Sequence, residues 1–152
     1  MIISRKQSDP KWGKTEMGAS GVTVAQKGCV ITALSDILNW YGADMTPDVL
    51  ARTLAFTSTG GVYWASITRS TGAKFIWRFY KYDSSVKKEV DDALKHPTKC
   101  VLLEFPFAGA SHWCWAYGKT FGTYKICDPL RGDFATSTRY GQPKGCAIFD
   151  KQ

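Results

Sequence analysis

Four residue types are needed to open an amide bond with a thiol: a nucleophile, a base that takes its proton, a group that holds the base, and a donor for the developing oxyanion. The chain offers a set of them in Cys29 of "AQKGCVITALSDILNWYG", His112 of "GASHWCWAYG" and Asp128 of "KICDPLRG", with Gln7 and Gln26 as side-chain amides for the oxyanion. Histidine is the scarce item, since the chain has two. His96, in "LKHPTK", falls at the end of a helical pattern just before a proline, where a cationic side chain suits the helix dipole. His112 opens an apolar strand directly after a small-residue loop, a place open equally to a strand-end polar residue and to a general base.

The elements around these residues decide whether they can meet. Val30, Leu34, Ile37, Leu38 and Tyr41 recur at helical spacing and Gly42 ends the pattern, so Cys29 stands at a helix N-terminus, off the apolar stripe. There the positive end of the helix dipole favours a thiolate, as an adjacent imidazolium also would. Gly28 lets the backbone bring the Cys29 amide close to a substrate carbonyl, one oxyanion donor. "MTPDVLARTLAF" reads as a second helix, with Thr46 as N-cap and Pro47 in first position; "GGVYWASITRSTG" suggests a short third. "DSSVKKEVDDALKHP" is a surface helix starting near Ser84 or Ser85. Beyond residue 73 the remaining segments "KFIWRFY", "KCVLLEF", "HWCWAYG", "GTYKICD" and "GCAIFD" read as strands.

"HWCWAYGKTFGTYKICDP" has the form of a hairpin. If Gly118 pairs with Gly122 around a three-residue loop, His112 stands directly opposite Asp128, with Cβ atoms roughly 4.5 to 5.5 Å apart on one face. A one-residue slip would send the two to opposite faces. Asp128 also suits the local hydrogen bonding of an Asp-Pro turn.

The 152 residues suit one domain spanning 1–152, and helices followed by strands imply an α+β fold with the helical part packed on an antiparallel sheet. There is no apolar run long enough to span a membrane, and the start "MIISRKQSDPKW" lacks the pattern of a signal peptide. A net charge of +7 favours anionic surroundings, but the basic residues are scattered, which argues against nucleic acid and leaves anionic cell-wall polymer as a possible partner. Five cysteines without Cys-x-x-Cys spacing make structural zinc improbable. Cys100, Cys114, Cys127 and Cys146 sit in apolar runs as core residues, with a disulfide among them left open.

With these residues assigned, the order Cys, His, Asp resembles papain-fold cysteine peptidases. The chain is more closely similar to cysteine peptidase family thirty-nine, the bacteriocin-leader peptidases and their stand-alone relatives. The resemblance rests on "QSDPKW" (Gln7 to Trp12), "GC" (Gly28, Cys29), "TP" (Thr46, Pro47), "HW" (His112, Trp113), "DP" (Asp128, Pro129) and the ending "YGQPKGCAIFD". It implies a papain-like fold with Cys29 as nucleophile, His112 as general base and acid, Asp128 as orienter and Gln7, rather than Gln26, as oxyanion donor, with no metal or cofactor. Many relatives carry Gly-Pro after the cysteine and Gly before the histidine, where this chain has Val30, Ile31 and Ser111, so loop shape and pocket are expected to differ. The resemblance implies amide-bond cleavage through a thioester but not the substrate; the basic charge, the size and the aromatics of the chain favour a peptidoglycan endopeptidase or amidase acting on the stem peptide, like a phage or bacterial lysin made in the cytoplasm and acting at the wall after release. Trp12, Trp64, Trp113, Trp115 and Tyr140 could stack on glycan or peptide, or simply pack the core. A general or processing protease, a transpeptidase and a non-catalytic peptide-binding domain are the alternatives.

Overall fold

The apolar spacing after Gly28 produces the central helix of the protein, α2 (Cys29–Trp40), preceded by a single turn α1 (Val24–Lys27). Both are part of a computed structural model that describes all residues 1–152. Thr23 caps α1 through a capping box, its hydroxyl accepting from Gln26 N–H while the Gln26 side chain accepts from Thr23 N–H. Burial of α2 extends well beyond the apolar stripe: Ile31, Ala33, Leu34, Ile37 and Leu38 are buried, and so are Thr32, Ser35 and Asp36. The reason is that the helix is covered on several sides, by the sheet, by α3 (Pro47–Thr53) and by the N-terminal segment, whose Arg5 N–H donates to Asp36 at 3.1 Å. α3 has Pro47 at its start as the sequence predicts, though the hydroxyl of its N-cap Thr46 makes no capping bond. α4 (Trp64–Ser70) is the third helix expected.

The rest of the chain builds a six-stranded antiparallel sheet in the order β1-β6-β2-β3-β4-β5, from β1 (Ala73–Phe79), β2 (Cys100–Phe107), β3 (Ala110–Thr120), β4 (Thr123–Asp128), β5 (Asp133–Thr136) and β6 (Gly145–Lys151). The fold is thus α+β. Strand alternation divides the sheet between two cores: Leu102, Trp113, Trp115 and Phe149 pack with α2 and α3, while Val101, Leu103, Phe105 and Ile126 pack with α5 (Ser84–Lys95). α5 begins after Asp83, whose carboxylate accepts from Val86 N–H, so the cap lies one residue before the serines expected to mark it. β5 has no counterpart among the expected strands. No helix is long and apolar enough to cross a membrane.

All five cysteines are free and buried. Burial pushes the thiols of Cys100 and Cys146 up to about 12 and those of Cys114 and Cys127 higher still, so these four are held as neutral thiols at physiological pH. Trp12 and Trp115 are core side chains. The exposed aromatics are others, among them Trp77, Tyr80 and Phe121, so Trp12 and Trp115 do not serve as a glycan-stacking platform.

Candidate active site

β3 and β4 carry the histidine and the aspartate, and their pairing differs from the expected one in an instructive way. The hairpin turns through two residues, Phe121 and Gly122, with Thr120 paired to Thr123 and both turn residues at positive φ (48° and 80°). Continued without interruption, that register would have put Asp128 on the face opposite His112. A bulge between Ala116 and Gly118 inserts one residue and restores the parity, so Trp115 pairs with Cys127. Cys114, not His112, is therefore the residue across from Asp128, and His112 is its diagonal neighbour on the same face. Cys114 is small enough for the carboxylate to lean past it, and His112 Nε2–H donates to Asp128 Oδ1 at 2.7 Å.

This pair is buried, with His112 3% and Asp128 0% exposed. Burial, the strongest single influence on His112, favours the neutral ring, yet its hydrogen bond to Asp128 and the nearby Cys29 sulfur outweigh it and raise the imidazole from 6.5 to about 9. For Asp128 burial again opposes ionisation. Hydrogen bonds from His112, Tyr140 and Arg139 override it and hold the carboxyl well below the usual carboxylate range. His112 and Asp128 thus stabilise each other as an imidazolium and a carboxylate.

Cys29 and His112 both line a cleft of about 410 Å³, with Gln7 and Leu130 at one side and Phe56, Val62 and Phe107 among the walls. The Cys29 sulfur faces the imidazole and, with Asp128, favours its protonated form. Cys29 is 9% exposed, more enclosed than its place off the apolar stripe predicts, because the cleft walls cover the side of the helix that the core does not. No side chain caps α2 at Gly28, so the amides of its first turn are free of a capping partner beside Cys29. Gly28 itself has an ordinary φ of −86°. Its necessity is steric: a Cβ there would lie 2.5 Å from the Val24 carbonyl oxygen and 2.6 Å from Val24 Cγ1. Gly28→Ala must therefore push α1 and α2 apart, and is expected to destabilise the protein by about 1–3 kcal/mol in denaturant titrations.

Gln7 and Gln26 are separated by their partners. Gln26 is exposed and its carbonyl oxygen is engaged in the α1 capping box. Gln7 is 4% exposed; its Nε2 donates to the Ala25 carbonyl at 3.1 Å, leaving the second amide hydrogen, while Oε1 has no partner. The turn after Asp128 secures this residue, with Gln7 N–H donating to the Pro129 carbonyl at 2.7 Å. One turn therefore connects Asp128 to Gln7.

Two residues of the site were not singled out for it by the sequence. Arg139 Nη1 and Tyr140 Oη donate to Asp128 Oδ2 at 2.8 and 2.5 Å. Tyr140, a stacking candidate from sequence, instead packs its ring 4.9 Å from the imidazole. Trp113 lies 7% exposed and lines the cleft, and half-buried Trp64 packs against it at 5.3 Å. His96 has no part here; at the C-cap of α5 it accepts from Thr98 N–H. His112, Cys114 and Asp128 also bring potential metal-ligand atoms within 4.8 Å of one another. Their donors are committed elsewhere: both oxygens of Asp128 already accept hydrogen bonds, and Cys114 is held as a thiol. The arrangement fits proton transfer to and from a thiol better than cation binding. No family model, no curated protein and no solved structure matches the chain.

Proposed function

We propose that the protein is a cysteine peptidase of papain-like design, in which Cys29 attacks an amide carbonyl, His112 moves the proton and Asp128 orients the imidazole. The observation that carries this reading is the buried 2.7 Å His112–Asp128 hydrogen bond on the wall of a cleft that also holds a cysteine at a helix N-terminus. The sulfur forms a bond to the carbonyl carbon, the carbon–nitrogen bond breaks, and His112 gives its proton to the leaving amine. Water then attacks the thioester, passing its proton to His112 and releasing the acid and the thiol. The Cys29 amide and the free hydrogen of Gln7 Nε2 supply the oxyanion donors. Gln7→Ala is expected to lower kcat by about 10²–10³-fold with KM little changed, in steady-state assays, because such donors act on the transition state.

For the substrate we favour a peptidoglycan stem peptide, making the enzyme an endopeptidase or amidase of the lysin type. The support is chemical. The net charge of +7 suits a polyanionic wall, and the cleft lining holds apolar side chains with Lys27 and no carboxylate, a surface suited to neutral or acidic peptides. The test is incubation of wild type and Cys29→Ser with purified sacculi and with a denatured protein, reading new termini by mass spectrometry. New termini from sacculi with wild type alone support the proposal. Cleavage confined to the denatured protein makes it a general protease, and cleavage of neither removes the hydrolase reading for both substrates.

A further inference from the structure

We propose that Arg139 and Tyr140 are positioning residues: by clamping Oδ2 of Asp128 they fix the plane of its carboxylate, and with it the orientation of the His112 imidazole and the strength with which Asp128 stabilises the imidazolium. This rests on the reading of Cys29, His112 and Asp128 as a catalytic set.

Asp128 and Asp133 are paired across β4 and β5, on either side of the turn Pro129 to Gly132, and like charges placed directly opposite destabilise a sheet. Arg139 resolves this by lying between them: Nη1 donates to Asp128 Oδ2 at 2.8 Å and to Asp133 Oδ1 at 2.7 Å, and Nη2 donates to Asp133 Oδ2 at 3.0 Å. The two oxygens of Asp128 are divided in consequence. Oδ1 accepts from His112 Nε2 and from Leu130 N–H at 3.0 Å; Oδ2 accepts from Arg139 and from the Tyr140 hydroxyl. A carboxylate held only through Oδ1 could swivel about its terminal torsion, whose well is broad. Engaged on both oxygens, it cannot.

Tyr140 acts on both members of the pair. Its hydroxyl holds Asp128 while its ring lies against the imidazole, and Phe105 and Phe107 pack behind that ring with centroids at 5.5 and 5.8 Å. Charged and titratable groups come to the His112 side of the site from several elements, with Lys27 of α1 across the cleft. Cys29 comes from α2, Cys114 from β3, Asp128 from β4, and Arg139, with Asp133 beyond it, and Tyr140 come from β5 and the segment after it. β2 contributes only the apolar Phe105 and Phe107 on this face, its Glu104 being engaged with Arg78 and Ser111.

Donors on Oδ2 draw negative charge away from Oδ1, and the Arg139 cation also repels an imidazolium. Removing either residue's polar head therefore makes His112 hold its proton to higher pH. The measurement is NMR titration of the imidazoles in wild type, Tyr140→Phe, Arg139→Gln and Arg139→Lys, with steady-state cleavage in parallel; the chain has two histidines, so His96 is an internal reference. In Tyr140→Phe the His112 midpoint is expected to rise by roughly half a pH unit or more, with the basic limb of the rate profile moving alike and kcat falling about tenfold at nearly constant KM. Arg139→Gln should shift the midpoint further and Arg139→Lys should restore part of it. An unchanged or lowered midpoint in folded Tyr140→Phe overturns the proposal, whatever becomes of the Arg139 variants. A raised midpoint in a protein whose wild type cleaves nothing upholds the clamp and removes the peptidase reading; cleavage by wild type with an unmoved or lowered midpoint does the reverse.

Discussion

Cys29→Ser is expected to lower amide hydrolysis by at least about 10⁴-fold while leaving the thermal unfolding transition within a few degrees of wild type, as read by kcat and by calorimetry. Serine occupies nearly the same volume, so the enclosed position at the head of α2 stays filled. A serine hydroxyl is a far weaker nucleophile than a cysteine sulfur in a site shaped for sulfur, so the attack on the amide carbonyl is slowed. The same change alters His112, because the cysteine sulfur is one of the groups that raise the imidazole to about 9. Its midpoint should fall in Cys29→Ser. The linkage has a defined sign: a histidine whose folded value lies above its unfolded value of 6.5 contributes stability that is complete below pH 6.5 and is lost as pH rises through about 9. Wild type should therefore lose unfolding free energy across that window, and Cys29→Ser should lose it earlier and to a smaller extent.

The elements that present these residues are legible where a single local pattern governs them. The stripe from Val30 to Tyr41 gives α2 its extent, Pro47 marks the start of α3, and the branched and aromatic runs mark five of the six strands. β5, "DFAT", is too short for alternation to declare itself and exists because β4 offers it an edge. The capping box that makes α1 a separate turn was present in sequence as Thr23 and Gln26, a signal that competes there with the stronger apolar pattern beginning at Val30.

The meeting of His112 and Asp128 is harder to read. His112 and Asp128 do share a face, but by a route that turn rules do not give: a two-residue turn with Phe121 at positive φ, followed by a bulge near Tyr117. Each departs from the expected pairing by an odd number of residues, and together they return the side chains to one face. A bulge of this kind is decided by packing on both sides of β3, which no local window contains. Arg139 and Tyr140 are hidden for a similar reason. Their partner lies across a turn and a further strand, and only the return of the chain after β5 brings them onto Asp128.

Asp128→Asn is expected to lower kcat by about 10²–10⁴-fold, the range seen when a base keeps its place and loses its anionic orienter. The amide can still accept a hydrogen bond through one oxygen, so the effect is chiefly electrostatic and orientational. With the anion gone, burial, which is the largest influence on His112 and favours the neutral ring, is opposed by the Cys29 sulfur alone among the raising groups. The imidazole midpoint should then drop below that of wild type, opposite in sign to the rise expected for Tyr140→Phe, although both changes weaken the same network. That contrast separates loss of the anion from loss of the groups that restrain it. Stability should respond on the acid side as well. The folded carboxyl of Asp128 lies below its unfolded value of 3.8, so its contribution is present above about pH 4 and is lost as pH falls through the folded value. Acid unfolding of wild type draws on that loss, and Asp128→Asn, which starts less stable at neutral pH because Arg139 and Tyr140 lose their buried anion, should show a flatter decline between pH 4 and pH 2 when unfolding free energies are measured across that range.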